Sequence, residues 1–254
     1  MMGRQKRCKE SAMSHTVPPE HSRTAALIGE DGFFRLQAAS VAVFGIGGVG
    51  GHLAEALARA GVGHIHLIDR DVVSLSNINR QAVALHSTVG RPKVEVMAER
   101  IRDINPDCHV TDSVCFYLPE NASEFDLSRY DFVADCVDTV AAKIELAVRC
   151  EEAGTPLIAA MGAGNKLHPE AFRISDISKT ETDPLARIMR RELKKRGIKK
   201  LLCVWSDESP VPASIVGDDG RPAPASIACT PSAMGLIMAG EIIRRLTTVS
   251  HSEL

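Results

Sequence analysis

The stretch VAVFGIGGVGGHLAEALARAGVGHIHLID, from Val41 to Asp69, carries the strongest structural signal in the sequence. Its opening apolar run, VAVF, is typical of a strand that is buried on both faces of a parallel sheet. The glycines that follow allow the backbone to turn sharply and to approach a phosphate closely: Gly45, Gly47, Gly48 and Gly50. A helix that begins at this turn directs its free N–H groups and the positive end of its dipole at the anion. The sequence therefore predicts a phosphate-binding turn.

The second half of this stretch completes a strand–helix–strand unit. Small and apolar side chains recur at helical spacing after the turn, at Leu53, Ala54, Leu57 and Ala58. Gly61 ends the helix, and a second apolar strand ends at Asp69, whose carboxylate can accept hydrogen bonds from ribose hydroxyls. The unit predicts a nucleotide site but not which nucleotide, because an NAD enzyme would show much the same residues, and a unit of this kind without a ligand remains the alternative.

Composition sets the broad class of the protein. The 254 residues are 44% hydrophobic, enough for one large core, and the formal charge of −2 excludes a globally basic nucleic-acid-binding protein but not a local basic patch. Seven cysteines are scattered and never spaced as CxxC, which predicts neither disulfides nor a zinc site. No signal peptide or membrane-spanning run is found, so we expect a cytoplasmic protein with a disordered leader over residues 1–22 and one domain over residues 23–254.

Polar residues are concentrated directly after the second strand, in the segment RDVVSLSNINRQ. In open parallel sheets, ligands lie beyond the carboxyl ends of the strands, so this segment is expected to lie over the nucleotide. Its candidates for contacts with phosphate or sugar are Asn77, Asn79, Arg80 and Gln81. The alternative for each of them is a loop side chain that bonds its own backbone.

Two further candidates lie at the ends of predicted elements. Pro92 fits the first turn of a helix that runs to about Ile104, which places Lys93 near its N-terminus as a phosphate ligand. A strand over 130–137 leads to Asp138, which is either a magnesium ligand or the cap of a helix over 141–153, and its position favours neither. The remaining elements predict an α/β fold, a Rossmann-like, doubly wound, mostly parallel sheet with helices on both faces.

The remaining predictions concern the rest of the chain. Strands are predicted over 110–116, 156–161 and 201–205, with one or two short helices before residue 39 and a last helix over 232–246. Residues 211–226 are predicted to form a loop without regular structure. Basic side chains dominate 184–200, where a solvated helix face and a surface for a polyanion such as RNA are both open.

Several motifs together resemble one family. GIGGVG, DRDVVSLSNINRQ, TVGRPK and DCVDT are similar to the motifs of the ubiquitin-activating-enzyme-like (ThiF/MoeB) adenylating family. AALIGEDGF, MGAGNK, DISKTETDPLARIMRRELKKRGI and WSDESP resemble its tRNA threonylcarbamoyladenosine dehydratase branch. The resemblance implies ATP and Mg²⁺ as cofactors, a homodimer, and the ATP-dependent cyclisation of threonylcarbamoyladenosine in tRNA through an acyl adenylate.

The resemblance also implies roles for individual residues. Arg80 and Lys93 would stabilise the transferring phosphate, and Asp138 would hold the magnesium ion. The residues implied to bind the nucleotide are Gly45, Gly47, Gly48, Gly50, Asp69, Asp71, Asn77, Gln81 and Arg23. Among these, Arg23 would correspond to an N-terminal arginine that reaches the phosphates in a partner subunit.

Other interpretations of the chain remain. A sulfur-carrier or ubiquitin-like-protein adenylyltransferase would use the same ATP site, although the paired CxxC zinc sites usual in the sulfur-carrier enzymes are missing from this sequence. An NAD-dependent oxidoreductase and an inactive nucleotide-binding scaffold are the further alternatives, and the sequence does not identify a sulfur-transfer partner. Cys229 is expected to be a buried structural cysteine rather than a nucleophile. Cys203 is a weaker candidate for a nucleophile than Cys229.

Overall fold

The computed structural model describes residues 16–212, 214–216, 220 and 222–248. Within these ranges the main sheet consists of β1 (Ser40–Phe44), β2 (His64–Ile68), β3 (His109–Ser113), β4 (Phe132–Asp135), β5 (Leu157–Ala160), β6 (Phe172–Asp176) and β7 (Leu202–Ser206). Their order across the sheet is β3-β2-β1-β4-β5-β7-β6. β6 runs antiparallel to β7, and the other neighbouring strands are parallel. The predicted fold class is confirmed.

Helices cover both faces of this sheet. They are α1 (Ser22–Ile28), α2 (Glu30–Ala38), α3 (Gly50–Ala60), α4 (Lys93–Ile104), α5 (Val140–Ala153), α6 (Pro184–Lys195) and α7 (Cys229–Thr247). Side chains of α3, α4 and α7 pack with Val41 and Val43 of β1 in one core cluster. Ala42 and Phe44 point to the other face and pack with α5 in a second cluster. β1 is thus buried on both faces, as its sequence predicts.

The strand order places a crevice beside β1. β1 lies between β2 and β4, and the helices that follow β1 and β4, α3 and α5, pack on opposite faces of the sheet. Loops leaving the carboxyl ends of β1 and β4 therefore separate, and open α/β sheets bind their ligands in such a crevice.

Two features of the C-terminal half differ from the sequence predictions. The sequence does not predict β6, because this five-residue strand has only two apolar side chains and pairs at the edge of the sheet. The segment predicted as an irregular loop over 211–226 contains an antiparallel pair, β8 (Ser214–Val216) and β9 (Pro222–Pro224). Strands of three residues carry too little periodicity to be recognised.

The N-terminal boundary is also described in part. Residues 1–15 of the expected leader lie outside the described residues. Pro19–His21 forms a 3-10 turn, and His21 is buried against the ring of Phe33, with ring centroids 5.2 Å apart. Regular structure therefore begins a few residues before Arg23. In the described ranges, no helix combines the length and the apolar character that crossing a membrane requires.

Candidate active site

A cleft of about 410 Å³ opens where β1, β2 and β4 end. Most of the residues that the sequence singles out line it: Gly45, Gly47, Gly48, Asp69, Asp71, Asn77, Arg80, Gln81, Lys93 and Asp138. Gly50, Asn79 and Arg23 do not lie on its wall. The structure therefore brings together the phosphate-binding turn, the polar segment and the end of β4.

The glycine turn depends on close backbone packing. Gly45 has a φ of 89°, and a Cβ atom on it would lie 2.7 Å from the carbonyl oxygen of Cys136. A Cβ atom on Gly50 would lie 1.8 Å from the carbonyl oxygen of Gly45. Gly50 is thus needed inside the turn, where it packs behind Gly45 rather than facing the cleft.

Asp69 fixes the backbone of the glycine turn and of its own loop after β2. Its Oδ2 accepts a hydrogen bond from the Ile46 N–H at 2.6 Å, and its Oδ1 accepts one from the Asp71 N–H at 2.8 Å. Burial raises the pKa of Asp69, and the neighbouring ammonium of Lys93 opposes that rise. Each carboxylate oxygen retains a lone pair, so Asp69 can order the glycine turn and still accept from a ribose hydroxyl.

Lys93 is the first residue of α4, with Pro92 at the N-cap rather than in the first turn. Its Nζ lies 2.9 Å from Oδ2 of Asp71, and the Lys93 side chain is only 7% exposed. A nearly buried ammonium at a helix N-terminus is disfavoured unless an anion lies beside it, and Asp71 supplies that charge. Asp71 itself is half exposed on the cleft wall.

The polar segment contains both kinds of side chain that the sequence predicts. Asn77 is a loop side chain that bonds its own backbone segment, because its Oδ1 accepts a hydrogen bond from the Ser74 N–H at 3.1 Å. Asn77 also lies on the cleft wall. Asn79 donates to the carbonyl oxygen of Ser226 at 2.9 Å and does not line the cleft. Arg80 is half-buried, and its guanidinium donates to Asn79 Oδ1 at 2.8 Å. Its charge has no acidic partner within the described residues.

Gln81 is more buried than its neighbours Asn79 and Arg80 in the polar segment. It is 9% exposed, and its Oε1 has no hydrogen-bond partner in the described part of the chain. Its Nε2 lies 3.9 Å from the position that a Cβ atom on Gly47 would occupy. A buried amide with an unsatisfied oxygen beside the phosphate-binding turn is suited to a polar ligand in the cleft.

Asp138 lies on the cleft wall in the turn between β4 and α5. The capping alternative is not supported, because the N-cap of α5 is Thr139 and no side chain caps the helix. Among the described residues, no group of three or more His, Cys, Asp or Glu side chains is arranged to hold a metal ion alone. Mg²⁺ in nucleotide sites commonly uses one or two carboxylates and the substrate's phosphates, and Asp138 fits that pattern.

Sequence reasoning missed one wall of the cleft. The guanidinium carbon of Arg70 lies 3.7 Å from the centre of the Phe116 ring, and Tyr117 packs edge-on against Phe44 with centroids 4.9 Å apart. These residues line the cleft together with Cys115, Cys136, Val137, Ala163, Gly164, Pro224 and Pro231. The strand predicted over 110–116 ends at Ser113 instead, which releases Phe116 into the cleft.

The cysteines divide by burial. Cys229 is exposed as the first residue of α7, so the expectation that it is buried is wrong. Cys203 is buried within β7, and burial raises the pKa of its thiol to about 12. A thiol of that pKa is almost fully protonated near neutral pH and is a poor nucleophile.

Some of the basic side chains on and after α6 are already bound to other groups of the protein. Arg190 donates to the carbonyl oxygen of Thr180 at 2.7 Å, so it holds the preceding loop. Glu192 accepts bonds from Lys195, Arg191 and Arg196, which lower its pKa to about 2. The remaining basic side chains are exposed and have no hydrogen bond or ion pair with a described residue: Arg187, Lys194, Lys199 and Lys200.

Comparison with known proteins places this cleft in a family. The ThiF family model matches residues 21–254, and the chain belongs to the ThiF family. The tRNA threonylcarbamoyladenosine dehydratase of Bacillus subtilis (strain 168) is 46% identical over 239 residues, which cover 89% of this chain and 94% of that protein.

Two further similarities bear on the substrate. The crystal structure of Escherichia coli tRNA N6-threonylcarbamoyladenosine dehydratase in complex with ATP aligns with a TM-score of 0.83 and 36% identity, covering 89% of this chain and 93% of that one. Molybdopterin-synthase adenylyltransferase of Escherichia coli (strain K12) is 34% identical over 187 residues, covering 74% of this chain and 70% of that protein. The chain is thus similar to members with different substrates.

Proposed function

We propose that this protein is an ATP-dependent tRNA threonylcarbamoyladenosine dehydratase. One observation carries the proposal: the cations and carboxylates expected of an adenylating site, Arg80, Lys93, Asp69 and Asp138, line a single cleft at the glycine turn. The similarity at 46% identity over nearly the whole of both chains supports the choice of substrate.

The first step activates a carboxylate. An oxygen of the threonyl carboxylate attacks the α-phosphorus of ATP, the bond from that phosphorus to the bridging oxygen breaks, and pyrophosphate leaves. Negative charge grows on the transferring phosphate, and preorganised cations in a water-poor site stabilise such charge. Arg80 and Lys93 line the same cleft as the glycine turn, and we assign them this role.

The second step closes a ring within the same modified base. A nitrogen or oxygen of that base attacks the acyl carbon, the acyl–phosphate bond breaks, AMP leaves, and the attacking group loses its proton. The base has then lost one water in net terms, while ATP has become AMP and pyrophosphate. Because both reacting groups belong to one substrate, proximity supplies much of the rate and no protein nucleophile is required.

Magnesium and the partner subunit belong to this proposal as well. Asp138 would hold Mg²⁺ together with the phosphates, and the ion would neutralise the charge of the leaving pyrophosphate. Arg23 is exposed on α1 and lies off the cleft wall of its own chain, and Leu27, one turn later, is 86% exposed. We therefore assign Arg23 to the site of a second copy in a homodimer.

The test compares substrates for the same ATP site. Purified protein is incubated with ATP and labelled pyrophosphate in the presence of tRNA that carries threonylcarbamoyladenosine, the same tRNA without the modification, or a sulfur-carrier protein with a C-terminal Gly-Gly. Only the modified tRNA should stimulate exchange of label into ATP. Exchange stimulated by the carrier protein would instead support the molybdopterin-synthase-like activity.

A further inference from the structure

A fully buried ion pair lies directly behind the cleft. Lys143 of α5 and Asp135 at the end of β4 are both 0% exposed, and Lys143 Nζ lies 2.9 Å from Asp135 Oδ1. The other oxygen of Asp135, Oδ2, has no partner in the described part of the chain. Burying two ions costs several kcal/mol each, and apolar side chains of similar volume often stabilise a fold equally well. Stability alone therefore does not account for the pair.

The remaining bonds of the pair hold the turn that follows β4. Lys143 Nζ also donates to the carbonyl oxygen of Val137 at 3.1 Å. The N–H of Val137 donates to Asp135 Oδ1 at 3.2 Å. Both backbone polar groups of Val137 are thus bound to the ion pair. Val137 is part of the cleft wall, and Asp138 is the next residue.

Asp138 depends on this turn for its position. The contact found for its side chain within the described residues is a bond from Thr139 Oγ1, at 3.3 Å. The glycine turn packs on the same segment, because the Cys136 N–H donates to the Phe44 carbonyl oxygen at 2.8 Å and Gly45 leaves no room for a Cβ beside Cys136. Displacement of the turn would therefore move Asp138 relative to the bound phosphates.

We infer that Lys143 and Asp135 are positioning residues that hold the Val137 turn so that the Asp138 carboxylate meets the metal ion of a bound nucleoside triphosphate. The inference rests on the proposed function, in which Asp138 is a metal ligand. Groups that orient a ligand from behind typically contribute about 10- to 100-fold to metal affinity. Lys143 and Asp135 act through the backbone and touch no substrate.

A second buried pair provides a matched control. Lys166 and Asp183 lie 3.2 Å apart at 1% and 0% exposure. They bind the carbonyl oxygen and the N–H of Gly162, at 2.6 Å and 3.0 Å, and so hold the loop after β5. This pair has the same chemistry and burial but does not bond the turn that carries Asp138.

The experiment measures ATP affinity against magnesium concentration. Replacing both members of a pair avoids an uncompensated buried charge, so the variant is Lys143→Met with Asp135→Asn, and the control is Lys166→Met with Asp183→Asn. Calorimetry gives the ATP dissociation constant in EDTA and across a Mg²⁺ titration. We expect the Mg²⁺ midpoint to rise about tenfold in the Lys143 variant and to stay at the wild-type value in the control. ATP affinity in EDTA should change by less than about twofold in both, because the nucleotide contacts remain.

Four results would overturn the inference. If the Lys143 variant folds and keeps the wild-type Mg²⁺ midpoint, the ion pair does not position Asp138. If the control variant shows an equal shift of the midpoint, the effect is a general loss of rigidity rather than a specific positioning role. If Asp138→Asn leaves the midpoint unchanged, Asp138 is not the metal ligand and the inference falls, although the adenylation of tRNA is judged separately by pyrophosphate exchange. Should the double variant fail to fold, Asp135→Asn alone is measured, and an unchanged midpoint in it also counts against the role.

Discussion

Arg80 and Lys93 both line the cleft, but they differ in burial and in the groups they bond. Lys93 is almost buried and already paired with Asp71, whereas Arg80 is more exposed and bonds neutral groups. A phosphate that enters the cleft would therefore meet Lys93, which is already bound to a carboxylate, and Arg80, which has no acidic partner among the described residues. Both cations are available to stabilise charge at the transferring phosphate.

The first prediction concerns these two side chains. Arg80→Ala and Lys93→Ala should each lower the rate of adenylation by a hundredfold or more, since loss of one preorganised donor costs roughly 3 kcal/mol. The fold should survive, because Asp71 is half exposed and can be solvated once Lys93 is removed. Pyrophosphate exchange measures the rate, and a thermal melt checks the fold.

Arg91→Ala is the matched control for that prediction. Arg91 is a cation of the same segment, but it pairs with Glu99 at 2.5 Å and does not line the cleft. Its rate should stay within about twofold of the wild type, as surface ion pairs contribute little. Near-normal exchange in both Arg80→Ala and Lys93→Ala would remove the proposed roles.

The second prediction concerns Cys229. Cys229→Ala should retain most of the cyclisation activity, because the ring-closing group belongs to the substrate and no thioester is required. In the folded state, the Cys229→Ala variant should nevertheless have one thiol fewer that reacts with Ellman's reagent than the wild type has. The reason is that Cys229 is exposed, whereas Cys203 is buried. A thousandfold loss of cyclisation with adenylate still forming would make Cys229 a covalent catalyst.

Residue roles differ in how far the sequence could predict them. The placement of Lys93 follows from a local signal, the proline that opens α4, and the structure has Lys93 as its first residue. Asn77 is ambiguous in the sequence, because an Asn side chain bonds its own turn as readily as a ligand, and in the structure it bonds Ser74. The contact of Arg70 with Phe116 joins residues from the ends of two strands, so no local pattern announces it.

The third prediction concerns the element α6 and the residues that follow it. Three of the cations in this region bond Glu192, whereas Arg187, Lys194, Lys199 and Lys200 are exposed and have no hydrogen bond or ion pair with a described residue. Lysines and arginines that bind phosphates release counterions, so tRNA affinity should fall steeply with salt. The variant with Ala at Arg187, Lys194, Lys199 and Lys200 should bind tRNA more weakly, and its log–log salt slope should shrink by about one for each phosphate-binding side chain removed.

The control for α6 removes the cluster around Glu192 as a whole, with Ala at Arg191, Glu192, Lys195 and Arg196. Its salt slope should change by less than about one, because these cations are already paired. ATP affinity should be unaltered in both variants. An unchanged tRNA affinity and salt slope in the unpaired set would leave α6 as a solvated helix face.

At the scale of elements, prediction succeeds where the periodicity is long. α3 and α7 carry sustained helical spacing, and the structure confirms both, with α7 beginning three residues earlier than expected. β6 and the β8–β9 pair escape prediction because edge strands and three-residue strands are stabilised by their partners rather than by their own sequence. The short hairpin still matters, since Pro224 and Ala223 line the cleft.

In the whole molecule, the position of Arg23 raises the question of which site it serves. It is exposed and does not line the cleft of its own chain. In a closed two-fold dimer, each copy would supply the same residue to the other. Sequence alone could suggest this arginine by resemblance, but no local pattern states which chain's site it reaches.

The fourth prediction tests that exchange between copies. Arg23→Ala and Lys93→Ala homodimers should each be nearly inactive. Mixed and allowed to exchange subunits, they should recover about a quarter of wild-type activity, because half of the dimers are hybrids and each hybrid restores one of two sites. Activity that stays at the background level in proven hybrids would place Arg23 in the site of its own chain.

The proposed reaction passes through an acyl adenylate, and an isotope measurement detects its formation. Modified tRNA whose threonyl carboxylate carries oxygen-18 at both oxygens is cyclised with unlabelled ATP, and the AMP formed is analysed by mass spectrometry. If the carboxylate attacks the α-phosphorus and AMP then leaves from the acyl group, each AMP carries one oxygen-18 atom. Unlabelled AMP formed in step with the cyclic product, or ADP in its place, would contradict the account.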